Sequence, residues 1–142
     1  MHKIVNLIRG LHPNTIIIVD DYQHYYLYDR DVYIVYYLLG LSIKKYKGNI
    51  FIRNNIEYLN YLISKLKENQ VSYVVVVKRM GYNVSLEDDF INDNYLKYYN
   101  KGKLFYNRIN QINSIKAKLK INIFDNREKI KKLKRIVDSN VW

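Results

Sequence analysis

The stretch that decides the fold is residues 12–45, HPNTIIIVDDYQHYYLYDRDVYIVYYLLGLSIKK. Its β-branched run Thr15-Ile16-Ile17-Ile18-Val19 is too short for a helix and is bounded by Pro13-Asn14 and Asp20-Asp21, which makes it a buried strand. A second run, His24-Tyr25-Tyr26-Leu27-Tyr28, follows after a few polar residues. The two read as an antiparallel pair with a tight Asp-Asp-Tyr-Gln connection. Asp29 or Asp31 then caps a helix whose Val32, Val35, Tyr36 and Leu39 recur at three- and four-residue spacing, and Gly40 ends it.

Upstream, MHKIVNLIRGLH is an amphipathic helix with Ile4, Val5, Ile8 and Leu11 on one side. It should end near His12-Pro13, because a residue before proline is pushed out of the helical region. Downstream, residues 42–46 and 50–52 form two short strands around Lys47-Gly48-Asn49. Asn54 or Asn55 caps a helix running to about Asn69, with Ile56, Leu59, Leu62, Ile63 and Leu66 as its buried stripe. Residues 71–77, five valines with Ser72 and Tyr73, are a strand-forming run of the kind covered on both faces, the middle of a sheet, and residues 82–85 a short edge strand. The expected class is therefore α/β (α+β): residues 1–85 form a mixed β-sheet flanked by helices, with strands 16–19 and 74–77 adjacent or nearly so at its centre. Residues 86–94, with four carboxylates, read as an acidic linker. From Tyr95 the chain is helix-permissive, with Ile109, Ile112 and Leu119 in step, an interruption at 122–126, and a resumed stripe Ile130, Leu133 and Val137. Residues 95–142 are thus a basic helical extension.

This order of strand, strand, helix and strand resembles the N-terminal, mismatch-reading domain of the MutS family of DNA mismatch-repair proteins. The family runs His-Pro-Asp, an apolar strand, Gly-Asp-Phe-Tyr-Glu-Leu-Phe-Tyr-Asp-Asp-Ala, then a helix ending Leu-Leu-Asp-Ile-Ser-Leu-Thr-Lys. Without a gap, this chain supplies His12-Pro13-Asn14, Tyr25 and Leu27, Asp31, and Leu38-Leu39-Gly40-Leu41-Ser42-Ile43-Lys44-Lys45. Tyr61-Leu62-Ile63-Ser64-Lys65-Leu66 and the strand at 74–77 are similar to the family's next helix and strand, so the resemblance covers residues 1–85. It implies a domain that binds mismatched DNA. In the family a Phe-x-Glu motif reads the mismatch, the Phe stacking on a mispaired base and the Glu accepting a hydrogen bond. Here those positions are His24 and Tyr26, and the small Gly before the motif is Tyr22. Two aromatic rings remain for stacking on a base, and the carboxylate acceptor is gone.

Charge divides unevenly along the chain of 142 residues, whose net charge is +11. Residues 1–94 hold 11 basic and 10 acidic residues, and residues 95–142 hold 13 basic against 3 acidic. The extension carries the field, and Lys129, Lys131, Lys132, Lys134 and Arg135 surround its last apolar stripe as candidate phosphate contacts. Tyrosine is abundant, 16 against 4 Phe and 1 Trp, but Asn, Ile and Lys are abundant with it, as an AT-rich coding sequence would produce unaided. The tyrosine count alone therefore identifies no function.

Without cysteine, the chain has no disulfides, thiolate metal sites or Cys nucleophiles. No apolar run reaches a membrane span and the N-terminus lacks the features of a signal peptide, so a cytoplasmic protein with no membrane role is expected. Phosphate-binding glycine loops are missing, and His2, His12 and His24 have no triad-like spacing. Asp20, Asp21, Asp29 and Asp31 are more simply explained as turn and cap residues than as a metal pair. The expectation is a non-enzymatic, cofactor-free and metal-free protein whose partner is nucleic acid, with DNA favoured. The alternative is a protein-interaction module that kept the fold and lost mismatch reading, docking a partner or a second copy through its C-terminal helices.

Overall fold

The apolar run of the opening stretch becomes an inner strand of the sheet. In the computed structural model, which describes residues 2–122, the elements are α1 (His2–Leu11), β1 (Ile16–Asp21), β2 (His24–Tyr28), α2 (Arg30–Leu39), β3 (Lys44–Tyr46), β4 (Asn49–Asn55), α3 (Leu59–Glu68), β5 (Tyr73–Val77), β6 (Asn83–Asp88) and α4 (Tyr95–Asn122). The strands make one mixed six-stranded sheet in the order β3-β4-β2-β1-β5-β6. β1 is antiparallel to β2 and parallel to β5, so the two continuous apolar runs lie side by side, away from either edge, as expected. Both are buried on both faces because both faces are covered. Ile17, Val19, Val74 and Val76 pack with Val5 of α1. Ile16, Ile18, Tyr73 and Val75 belong to a larger cluster with Val32, Ile34 and Val35 of α2 and Leu62, Ile63 and Leu66 of α3.

Local chemistry explains most boundaries. The hairpin between β1 and β2 is a two-residue turn in which Tyr22 takes φ 63°, a left-handed conformation, with its N–H donated to Asp20 Oδ1 at 3.0 Å. Lys47 and Gly48, at φ 50° and 79°, make the equivalent turn between β3 and β4. Asn55 Oδ1 accepts from Glu57 N at 3.0 Å, capping a 3-10 turn at Ile56–Tyr58 that leads into α3. Gly40, at φ 69°, closes α2 by donating its N–H to Tyr36 O.

Four expectations need correction. Asp29 occupies the cap position of α2 at φ 55° but makes no side-chain cap bond. Asp31 is not a cap either: its carboxylate is fully buried and receives four donors. Arg9 grips it two-pronged (Nη1 to Oδ1 and Nη2 to Oδ2, both 3.0 Å), Ile17 N donates to Oδ2 at 3.0 Å, and Tyr95 Oη donates to Oδ1 at 2.6 Å. This network ties α1, β1, α2 and the start of α4 together, and it turns α1 so that Val5, Ile8 and Arg9 face inward. Leu11 is consequently 80% exposed and Ile4 36% exposed, although sequence spacing placed both on the apolar side. Burial, the largest influence, raises the Asp31 carboxyl above the usual carboxylate range, and Arg9, Ile17 and Tyr95 pull it back.

The third correction concerns residues 86–94, which the acidic composition marks as a linker. β6 runs on to Asp88, and Tyr73 Oη donates to Asp88 Oδ2. Asp93 Oδ1 accepts from Ser72 N at 2.8 Å, Phe90 N donates to Ser72 Oγ at 3.1 Å, and Asn94 Nδ2 donates to Asn69 O at 2.8 Å. The polar residues that suggested a solvated linker are there to satisfy backbone groups at the start of β5 and the end of α3. The fourth concerns where the extension begins: the chain divides between Gly102 and Lys103, so the first two turns of α4 belong to the sheet domain. There Arg30 lies over the rings of Tyr95 and Tyr99, at 5.5 and 4.8 Å from their centroids, and Tyr33 meets Tyr99 edge-on at 6.0 Å. In the second unit the described helix half-buries Ile109, Ile112 and Leu119 and leaves Ile115 exposed.

Gly102 marks the closest approach of α4 to α2. A Cβ there would stand 2.1 Å from the backbone oxygen of Tyr33, so the two helices would have to separate. Although alanine is the better helix former by about 1 kcal/mol, Gly102→Ala is expected to cost a net of about 1–3 kcal/mol by overpacking. Urea denaturation against the wild type checks this.

Candidate nucleic-acid interface

Strand alternation places His24, Tyr26 and Tyr28 on one side of β2 and Tyr25 and Leu27 on the other, where they join the larger core. His24 and Tyr26 are half-buried, and their rings meet edge-on at 6.4 Å. Tyr26 and Tyr28 are stacked at 6.1 Å with an interplanar angle of 5°. The ladder extends this aromatic row sideways: Tyr28 pairs with Phe51 of β4, Phe51 with Lys44 of β3, and Tyr26 with Arg53. Tyr46, opposite Asn49, continues it at 66% exposure.

The result is a cleft of about 840 Å³ whose walls are the rings of Tyr26, Tyr28, Tyr46 and Phe51 and whose rim carries Lys44, Lys45 and Lys47. Asn49 completes the lining, so among the described residues no carboxylate lines the cleft. The Lys47 ammonium lies 5.4 Å from the Tyr46 ring centroid. Flat apolar walls next to three cations suit a ligand that combines aromatic rings with negative charge. The cleft opens on the sheet face that carries α1. That helix packs its Val5 against β1 and β5, and the exposed Lys44, Tyr46 and Arg53 mark the remaining part of the face.

Of the residues singled out from sequence, His24 and Tyr26 therefore come together on the accessible side of their strand, and Tyr26 lines the cleft. Lys129, Lys131, Lys132, Lys134 and Arg135 lie outside the described residues. Sequence reasoning missed Lys44, Lys45, Tyr46, Lys47 and Phe51, although the run Lys44-Lys45-Tyr46-Lys47 interleaves cations with an aromatic ring. In sequence the run reads only as a strand and turn, because its neighbours on β2 become visible only through the register.

The aspartates have separate structural partners. Asp20 holds the Tyr22 turn, Asp21 lies 3.6 Å from Lys78, and Asp31 is committed to Arg9. Among the described residues no group of three His, Cys, Asp or Glu side chains is placed to hold a metal ion, and no helix is long and apolar enough to cross a membrane. No protein-family model matches the chain, and no curated protein matches it in sequence.

Proposed function

We propose that this protein binds nucleic acid on the open part of its sheet, bases stacking on Tyr26, Tyr46 and Phe51 while Lys44, Lys45 and Lys47 meet the phosphates. The observation that carries this reading is the aromatic cleft rimmed by three lysines and, among the described residues, lined by no carboxylate. The resemblance of residues 1–85 to the MutS N-terminal domain narrows the preferred ligand to DNA with a mispaired base. His24 and Tyr26, at the family's reading positions, are half-buried beside that cleft. The chain acts as a non-catalytic, cytoplasmic module, and the basic residues between Arg127 and Arg135 add sequence-independent attraction to phosphate. Coupling to ATP hydrolysis would come from a partner, as the chain carries no phosphate-binding glycine loop.

A protein partner is favoured by one specific observation, the exposed Val84 and Leu86 on edge strand β6. Fluorescence anisotropy with single-stranded DNA, RNA, perfect duplex and mismatched duplex at two salt concentrations separates the readings. Nucleic-acid binding predicts a saturable complex, tightest for the mismatched duplex, which Tyr46→Ala weakens about tenfold by removing one stacking surface. His24→Ala should weaken the mismatched duplex more than the perfect one. Failure of all four ligands to saturate would abandon this reading for the protein partner.

A further inference from the structure

A second, smaller pocket of about 270 Å³ lies on the opposite side of the sheet, lined by Tyr25, Asn54, Leu39, Leu41, Tyr58 and Tyr61. Tyr58 and Tyr61 are 51% and 56% exposed, while Tyr25 is 1% exposed. Two apolar side chains and two exposed rings form walls for a flat molecule. The polar groups at Asn54 and Tyr25 determine which edge of that molecule is read.

The hydrogen bonds determine what Asn54 and Tyr25 can offer. Asn54 Oδ1 accepts from the backbone N–H of Asn55 at 2.9 Å, and a backbone N–H can only donate, so the amide orientation is fixed. Asn54 Nδ2 must then be the donor to Tyr25 Oη at 3.0 Å. One Nδ2 hydrogen is used in that bond, and the second remains. Tyr25 Oη, as acceptor there, keeps its own proton to donate. The pair therefore offers two adjacent donors, the second Nδ2 hydrogen and the Tyr25 hydroxyl, while the Asn55 N–H takes one lone pair of Asn54 Oδ1.

The cleft and this pocket lie on opposite faces of the sheet, and both draw on β4. β3 pairs with β4 only from Asn49 to Phe51, which leaves residues 52–55 of β4 without a β3 partner. Arg53, opposite Tyr26, points to the cleft side, and the next residue, Asn54, opposite Tyr25, points to the pocket side.

We infer that the pocket formed by Asn54, Tyr25, Tyr58 and Tyr61 takes one unpaired nucleobase and that its two adjacent donors select guanine or cytosine over adenine and thymine; this rests on the nucleic-acid reading above. Guanine presents O6 and N7 as neighbouring acceptors, and cytosine presents O2 and N3. In adenine the amino group stands next to N1 and N7, and in thymine the N3–H stands between O2 and O4. Against two donors, each of these bases turns a donor toward a donor. The ring stacks on Tyr58 or Tyr61, and the Lys65 ammonium lies 5.8 Å from the Tyr61 ring centroid.

The test uses the full chain and a labelled thymine oligonucleotide whose central base is thymine, adenine, cytosine or guanine. The wild type should bind the cytosine and guanine forms about tenfold more tightly than the other two, a difference expected of one good two-point base contact. Tyr25→Phe keeps the ring and removes one donor, so it should bring the four affinities within about twofold while the thymine affinity stays unchanged. Its thermal transition, followed by circular dichroism, should stay close to that of the wild type. Asn54→Asp should also erase the preference, because the carboxylate accepts the Tyr25 proton. Equal wild-type affinities for all four bases, or a preference that survives in Tyr25→Phe, would overturn the pocket while leaving the binding function standing. Absence of binding to every oligonucleotide would overturn both.

Discussion

Asp31→Ala is expected to cost about 3–5 kcal/mol, the largest loss of any single substitution in the sheet domain. The carboxylate is fully buried and holds the Arg9 guanidinium, the Ile17 N–H and the Tyr95 hydroxyl. Removing it leaves a cation and two neutral donors without their acceptor in a low-dielectric site. The double variant Arg9→Met/Asp31→Leu should recover part of the loss, since the cation is gone, but not all of it, since the Ile17 and Tyr95 donors stay orphaned. Arg9→Met alone has a pH signature. Burial already raises the Asp31 carboxyl, and losing the guanidinium raises it further. The stability contributed by that protonation is fully present below the unfolded carboxyl value of about 3.9 and is lost as pH rises through the folded value. Arg9→Met should therefore be closer to the wild type near pH 4 than near pH 7 in denaturant titrations. An equal difference at both would mean that Asp31 does not titrate as its burial requires.

Reversing the cleft's charge with Lys44→Glu/Lys45→Glu/Lys47→Glu has the largest expected effect on binding. The three lysines are exposed and the β3–β4 turn keeps its Gly48, so folding should change little. If each lysine neutralises one phosphate, the slope of log affinity against log salt on single-stranded DNA should become shallower by about 2, at roughly 0.7 per phosphate. The affinity at moderate salt should fall by about 100-fold or more, because carboxylates then face the phosphates. A salt titration of single-stranded DNA binding measures both. Unchanged slope and affinity would move the electrostatic anchor away from the cleft.

The fold was legible wherever one residue type dominated a segment. The β-branched run at 15–19 and the valine-rich run at 71–77 read as doubly covered strands, and β1 and β5 are adjacent inner strands of the sheet. Gly40 and Asn55 acted through local backbone geometry, which sequence expresses directly. Asp31 and Arg9 were missed because their pairing spans 22 residues and neither residue looks unusual in its own segment. The acidic stretch misled for a related reason, since Asp88 and Asp93 serve β5 and its approach, at positions the sequence does not place nearby. At the candidate site, strand alternation alone put His24 and Tyr26 on one side. Bringing Lys44, Tyr46 and Phe51 beside them needed the pairing of three strands, which sequence spacing does not provide.

Photo-crosslinking of the full chain to single-stranded and mismatched DNA, with the linked residues mapped by mass spectrometry, tests the central claim most directly. Binding at the open sheet predicts a saturable complex with cross-links at Tyr26, Tyr46 and Phe51, displaced by unlabelled DNA and lost in the triple lysine variant. Cross-links confined to residues 103–142, or a complex that never saturates, would contradict it.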